Sequence, residues 1–152
     1  MASQSEPAEV SRMFLVLDTN HYNELTNDSS AGRKAQDRID ASGGDVFISI
    51  VSVQEVMQGW LALINRQRAG RGQVHAYHRF QHSIETLNRL TILAFEESAA
   101  SLFEELRAQR LRVGTMDLKI AAICLAHDAI LLSRNVRDFR MVLGLRVENW
   151  LE

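Results

Sequence analysis

Four short runs decide what this chain can fold into: MFLVL at 13–17, VFISIV at 46–51, LTILAF at 90–95 and AILLS at 129–133. Each is apolar nearly throughout and does not alternate with polar residues. A strand with one face in water alternates, whereas a strand covered on both faces reads as a continuous apolar run. The segments between the runs carry helical spacing. In SVQEVMQGWLALINRQR, at 52–68, the apolar residues Val53, Val56, Met57, Trp60, Leu61 and Ile64 fall on one helical face. Further helices are predicted at 20–27, 33–42, 74–89, 97–111 and 117–128, with a short helix near 137–142 and a last strand near 145–148. Gly43 and Gly44, the AGRG turn at 69–72 and Gly114 break the helical pattern. Apolar strands alternating with helices predict an α/β domain with a mostly parallel central sheet. In such sheets ligands bind beyond the carboxyl ends of the strands.

The length, 152 residues, fits one domain with a sizeable core. The start, MASQSEPAEVSR, is polar, holds the only proline and lacks a signal-peptide core. It reads as a flexible leader or an added tag at 1–12, ahead of a single domain at 13–152. With 17 basic and 19 acidic residues, the net charge of −2 argues against a polyanion-binding tail, though not against a local basic groove. No run reaches the ~18 apolar residues of a membrane helix. The single cysteine, Cys124, lies in the apolar run IAAICLA and predicts a buried thiol in a reducing cytoplasm.

Short acids and amides gather where the strands end. Asp18 follows the first run in LDTN, and Glu55 lies one helical turn beyond the second in SVQE. Asn135 and Asp138 follow the fourth in SRNVRD, and Asp117 opens the buried helix in GTMD. Each has a structural alternative. Ser52 and Glu55 have the spacing of a capping box, as do Asn135 and Asp138. Asp117 suits the positive end of its helix, two residues after a cap at Thr115. Asp18 suits an Asx turn or a helix cap. Taken together, carboxylates converging on one sheet edge repel each other, and a divalent cation removes that cost. Mg²⁺ accepts one or two carboxylates plus water and phosphate oxygens, a chemistry that fits phosphodiester hydrolysis.

LDTN, S-x-x-E, GTMDLKIAA and LLSRNVRDF, in this order, resemble the signatures of the PIN domain, in particular the VapC-type toxins of type II toxin–antitoxin pairs. The ending GLRVENW is similar to that group as well, so the resemblance runs from about Met13 to Trp150. It implies a three-layer α/β/α sandwich and a Mg²⁺- or Mn²⁺-dependent endoribonuclease. Asp18, Glu55 and Asp117 match the family's first three acids, with Glu55 acting directly or through water. At the fourth position this chain has Asn135, with Asp138 three residues on, which puts a fully occupied two-metal site in doubt. The resemblance further implies an RNA substrate, a cognate antitoxin and a homodimer. The alternative is a catalytically weak protein of the same fold that binds RNA or a partner.

Substrate contacts are expected from Asn20, Ser133 and Lys119, beside the acids. Between Glu55 and Glu85 there is no acid, while Arg66, Arg68, Arg71, Arg79 and the histidines 75, 78 and 82 supply a basic stretch suited to a polyanion. His78 and His82 have the spacing of a zinc pair, but no HExxH motif and no cysteine ligand accompanies them. Tyr77 and Phe80 are candidates for base stacking, with core packing the alternative for Phe80.

Overall fold

The computed structural model describes residues 12–152. The leader expected at 1–12 lies outside the described residues, apart from Arg12, whose guanidinium meets Asp45 at 3.3 Å. Five strands and seven α-helices follow: β1 (Phe14–Leu17), α1 (Thr19–Thr26), α2 (Ser30–Ser42), β2 (Asp45–Ser49), α3 (Ile50–Arg66), α4 (Val74–Leu87), β3 (Thr91–Leu93), α5 (Glu97–Ala108), α6 (Thr115–Ala126), β4 (Ile130–Leu132), α7 (Val136–Phe139) and β5 (Arg146–Glu148). A short 3-10 turn, Arg71–Gln73, joins α3 to α4. The sheet has the order β3-β2-β1-β4-β5, and every pairing is parallel.

The unbroken apolar runs of β1, β2 and β4 are explained by two cores, whereas β3, at the sheet edge, buries only Leu93 and leaves Ile92 exposed, against expectation. Leu15, Leu17, Ile48, Ile130 and Leu132 pack beneath α1, α2 and α3, with Tyr22, Ile39 and Val56. Val16 and Leu131 face the other way, onto Ile120, Ile123 and Cys124 of α6 and Phe139 of α7. The sheet is therefore the middle layer of an α/β/α sandwich. Cys124 is fully buried, and burial raises its thiol pKa, so it serves as core. Among the described residues no helix is long and apolar enough to cross a membrane.

Three helix caps differ from expectation, and each difference bears on the site. Chain leaves β2 at Ser49, and Ser49 Oγ accepts the Ser52 N–H at 3.0 Å. Ser49 is thus the cap of α3, the helix begins two residues earlier than predicted, and no Ser52–Glu55 capping box forms. At α6 the cap position is Gly114, not Thr115. Asn135 stands at the cap of α7 but makes no side-chain capping bond. Glu55 and Asn135 are both released from the structural roles their spacing offered.

Two contacts fix α1, the helix that starts at the site. On one side, α2 approaches it so closely that a Cβ at Gly32 would lie 2.1 Å from the Glu24 carbonyl oxygen. On the other, fully buried His21 joins α1 to the chain's end: its Nε2 accepts the Trp150 N–H at 3.1 Å, and its Nδ1 lies 2.9 Å from Asn20 Oδ1. That pair of bonds requires the neutral Nδ1–H tautomer. Burial, followed by the nearby Arg134 charge, lowers the ring's pKa from 6.5 to about 4. Below its ordinary value the unfolded chain binds a proton here that the folded chain refuses. This contribution to stability is complete above 6.5 and is lost as pH falls towards about 4. Thermal melts between these limits are expected to show a steeper acid loss in the wild type than in His21→Gln. Parallel curves would remove His21 as the cause.

Candidate active site

Strand register places the first two site residues. Leu17 of β1 pairs with Leu132 of β4, so the chain leaves both strands side by side, and the Asp18 N–H donates to the Leu132 carbonyl at 2.9 Å. Between β1 and β4 the strand order reverses direction in sequence, which is where open α/β sheets have their crevice. Asp18 Oδ1 accepts the Thr19 N–H at 2.8 Å and caps α1, while Oδ2 accepts the Ser133 hydroxyl at 2.7 Å. The aspartate is therefore both cap and site residue. Burial raises its pKa, and the bonds from Ser133 and Thr19 only partly offset this.

The start of α6 brings Asp117 to the same place. Asn135 Nδ2 donates to Asp117 Oδ2 at 3.2 Å, and the Asn135 N–H donates to Ser133 Oγ at 3.0 Å. A chain of bonds thus runs from Asp18 through Ser133 and Asn135 to Asp117. Burial and then the charge of Asp18 raise the pKa of Asp117; Asp138 adds a smaller push in the same direction. Glu55, from the second turn of α3, completes the group. Its pKa is raised first by burial and then by the charges of Asp18 and Asp117. Thr19 faces Glu55 closely enough to offset part of the rise, yet neither Thr19 Oγ1 nor Glu55 Oε1 completes a hydrogen bond. These are two of the three buried side-chain polar atoms without a partner among the described residues.

Buried acids held above their ordinary pKa, two of them also by the charge of Asp18, with a buried carboxylate oxygen lacking a donor, are the environment a cation would relieve. Among the described residues no group of three or more His, Cys, Asp or Glu side chains is close enough to form a ready cage. Mg²⁺ does not require one, because it keeps several waters and takes one or two carboxylates. The residues fit that ion, with oxygen donors only and no soft ligand.

The other expected residues divide. Ser133 is 0 % exposed and its hydroxyl donates to Asp18, so in this structure it holds the aspartate in place. Asn20 Oδ1 accepts the Arg134 N–H at 3.2 Å and ties α1 to the β4–α7 loop. Lys119 Nζ lies 5.8 Å from the centre of the Phe103 ring, on the α5 side of its helix. The basic stretch splits at the end of α3. Arg66, His75, His78, Arg79 and His82 line a cavity of about 650 Å³ that reaches Thr19 and Glu55. Arg68 and Arg71 are exposed beyond it and do not line it. Tyr77 faces out from α4, with 54 % of its surface exposed, and it is Trp60 that lines the cavity. In the sequence Trp60 belongs to the apolar face of the 52–68 helix. Its ring carries Arg79 at 4.8 Å, a pairing that required the mutual placement of α3 and α4 to be known.

Residues 15–142 match the PIN domain. The chain belongs to the PIN domain family. Among similar proteins, Ribonuclease VapC1 of Rickettsia felis is 32% identical over 108 residues, 68% of this chain and 75% of that protein. Ribonuclease VapC2 of Haemophilus influenzae is 38% identical over 69 residues, 43% of this chain; the match spans about half of that relative's length, 52%. Solved structures agree on the PIN fold. The Rickettsia felis VapBC2 complex bound to a promoter DNA fragment superposes with a TM-score of 0.70 at 22% identity, covering 91% of this chain and 99% of that one. VapBC-1 from nontypeable Haemophilus influenzae gives 0.68 at 19% identity, covering 92% and 100%.

Proposed function

We propose that this PIN domain is a divalent-metal-dependent endoribonuclease, the toxin of a VapBC-type pair, which hydrolyses RNA phosphodiester bonds. The observation that carries the reading is the convergence of Asp18, Glu55 and Asp117 at the β1/β4 crevice: burial drives each away from ionisation, and the Asp18 charge adds to the effect at Glu55 and Asp117. The ribonuclease names of the relatives support it. Asp18 and Asp117 would hold Mg²⁺, or Mn²⁺ in its place, with Glu55 joining directly or through a water. The ion supplies Lewis-acid stabilisation of charge on the phosphate and a more acidic water. The chain's own residues set the geometry. Ser133 and the Thr19 N–H hold the rotamer of Asp18, one on each oxygen, and Asn135 holds that of Asp117 through Oδ2; each Asp18 oxygen retains a second lone pair for a cation. The buried position of Asp18 excludes bulk water and strengthens each electrostatic contact there. The partners of this reading are RNA, a cognate antitoxin and a second copy of the chain, in the cytoplasm.

Two measurements test it. The purified protein is expected to cleave RNA with Mg²⁺ and not with EDTA, and Asp117→Asn to abolish the cleavage. Undiminished cleavage by Asp117→Asn would sink the assignment. Failure to bind Mn²⁺ at millimolar concentration by calorimetry would leave a binding protein of the same fold.

The fourth corner gives a separate expectation. Asn135 already donates to Asp117, so Asn135→Asp replaces an attraction by a repulsion. The metal-free variant is expected to melt lower than the wild type. Its Mn²⁺ affinity is expected to rise by about tenfold, because ligand charge count tunes affinity. A higher melting temperature without metal, or weaker Mn²⁺ binding, would contradict this arrangement.

A further inference from the structure

The cavity between α1, α3 and α4 holds more than one acid requires. Glu55 is its single carboxylate, at the end that also reaches Thr19. The rest of the wall carries two guanidinium groups, Arg66 and Arg79, and three imidazoles spaced along one face of α4. Among the described residues neither Arg66 nor Arg79 has an ion-pair partner, although five other arginines do. Two unpaired cations facing a shared cavity create a positive potential focused by its walls. Trp60 adds a flat ring, and Arg79 lies over it at 4.8 Å, which makes a combined indole–guanidinium surface. Unpaired bases stack on such planes, and Arg side chains take the adjoining phosphates. A volume of about 650 Å³ lies in the range of small-molecule sites and leaves room for a nucleotide and its waters.

We propose that this cavity is the subsite for an unpaired nucleotide next to the cleaved bond, its base on Trp60 and Arg79 and its phosphate against Arg66 and Arg79. This rests on the ribonuclease reading and makes it more specific, since the substrate must be single-stranded where it meets α3 and α4. The cavity's continuity with Glu55 sets the order: the base enters here while the neighbouring phosphate reaches the acids. A protein segment is the competing occupant, but a wall with unpaired cations and a stacking plane matches nucleic acid better than it matches an apolar chain.

The test is binding of a labelled single-stranded oligoribonucleotide to the whole chain by fluorescence anisotropy in EDTA, over a range of salt. The Arg66→Gln/Arg79→Gln double variant is expected to bind more weakly and to lower the salt slope by about 0.7 for each phosphate contact removed. Trp60→Leu is expected to weaken binding by about five- to 150-fold with little change in slope, and Trp60→Phe to retain most of it. Thermal melts establish that each variant is folded. Unchanged affinity and slope in the folded double variant would overturn the proposal. So would an equal loss of duplex and single-strand binding, or a loss confined to capture of a partner protein. A wild type that binds the oligonucleotide by this pattern but never cleaves RNA with Mg²⁺ would overturn the nuclease reading and leave the subsite standing.

Discussion

Asp18→Asn is expected to lower metal-dependent RNA cleavage by at least about 10²–10³-fold, the loss typical of removing one preorganised charge-stabilising group, without lowering the stability of the metal-free protein. The two halves of this result have one cause. Asp18 is 6 % exposed, and burial raises its pKa. Its charge is therefore unfavourable to the metal-free fold, a cost that a bound cation would remove. Asparagine is as good a helix cap and still accepts the Thr19 N–H, so α1 keeps its start. The pH dependence follows from the sign of the shift. A carboxyl whose folded pKa lies above its ordinary 3.8 stabilises the fold least once it is ionised, so the metal-free wild type loses stability as pH rises through the raised folded value. The variant lacks that loss. Mg²⁺ should raise the melting temperature of the wild type at neutral pH and leave the variant nearly unmoved. Melts with and without Mg²⁺, beside a cleavage assay, check all of this; a variant that still cuts RNA at wild-type rate would remove Asp18 from the site.

Gly32→Ala has the largest effect expected on stability. The new Cβ would sit 2.1 Å from the Glu24 carbonyl oxygen and 2.6 Å from its carbon, both of them backbone atoms. No side chain can rotate out of the way, so α1 and α2 must separate. Overpacking in a rigid interior costs about 1–3 kcal/mol and sometimes more, and the contact here lies at the severe end. Because Glu24 also accepts the Ser29 hydroxyl and pairs with Arg134 at 3.3 Å, the displacement would spread to the β4–α7 loop. Denaturant unfolding should show a midpoint lowered well beyond that of Ala31→Gly on the same helix. Equal midpoints would show that the two helices have room to give.

The apolar runs carried the fold because burial on both faces leaves a readable pattern, and β1, β2 and β4 appear where those runs lie. The acids were harder to read. Ser49 and Ser52 stand three apart, and either serine could begin a helix; only the structure shows that Ser49 takes the Ser52 N–H and leaves Glu55 uncommitted. The basic residues follow the same logic. His75, His78, Arg79 and His82 keep helical phase on α4 and share a face, whereas Arg68 and Arg71 come after α3 has ended and lose that phase. Nothing in the local sequence marks Ser133 as the partner of Asp18, because 115 positions separate them. His21 is missed for the same reason, since its partner Trp150 lies 129 positions away.

Those long separations set the order in which the site is put together as the chain is made. Asp18 is made 115 positions before the Ser133 whose hydroxyl holds it, and His21 is made 129 positions before the Trp150 N–H that it binds. A nascent chain that has completed α3 already carries two of its acids, yet has no β4 to set them against. The acids can be held in their places only once β4 has joined β1, and α1 gains its tie to Trp150 later still.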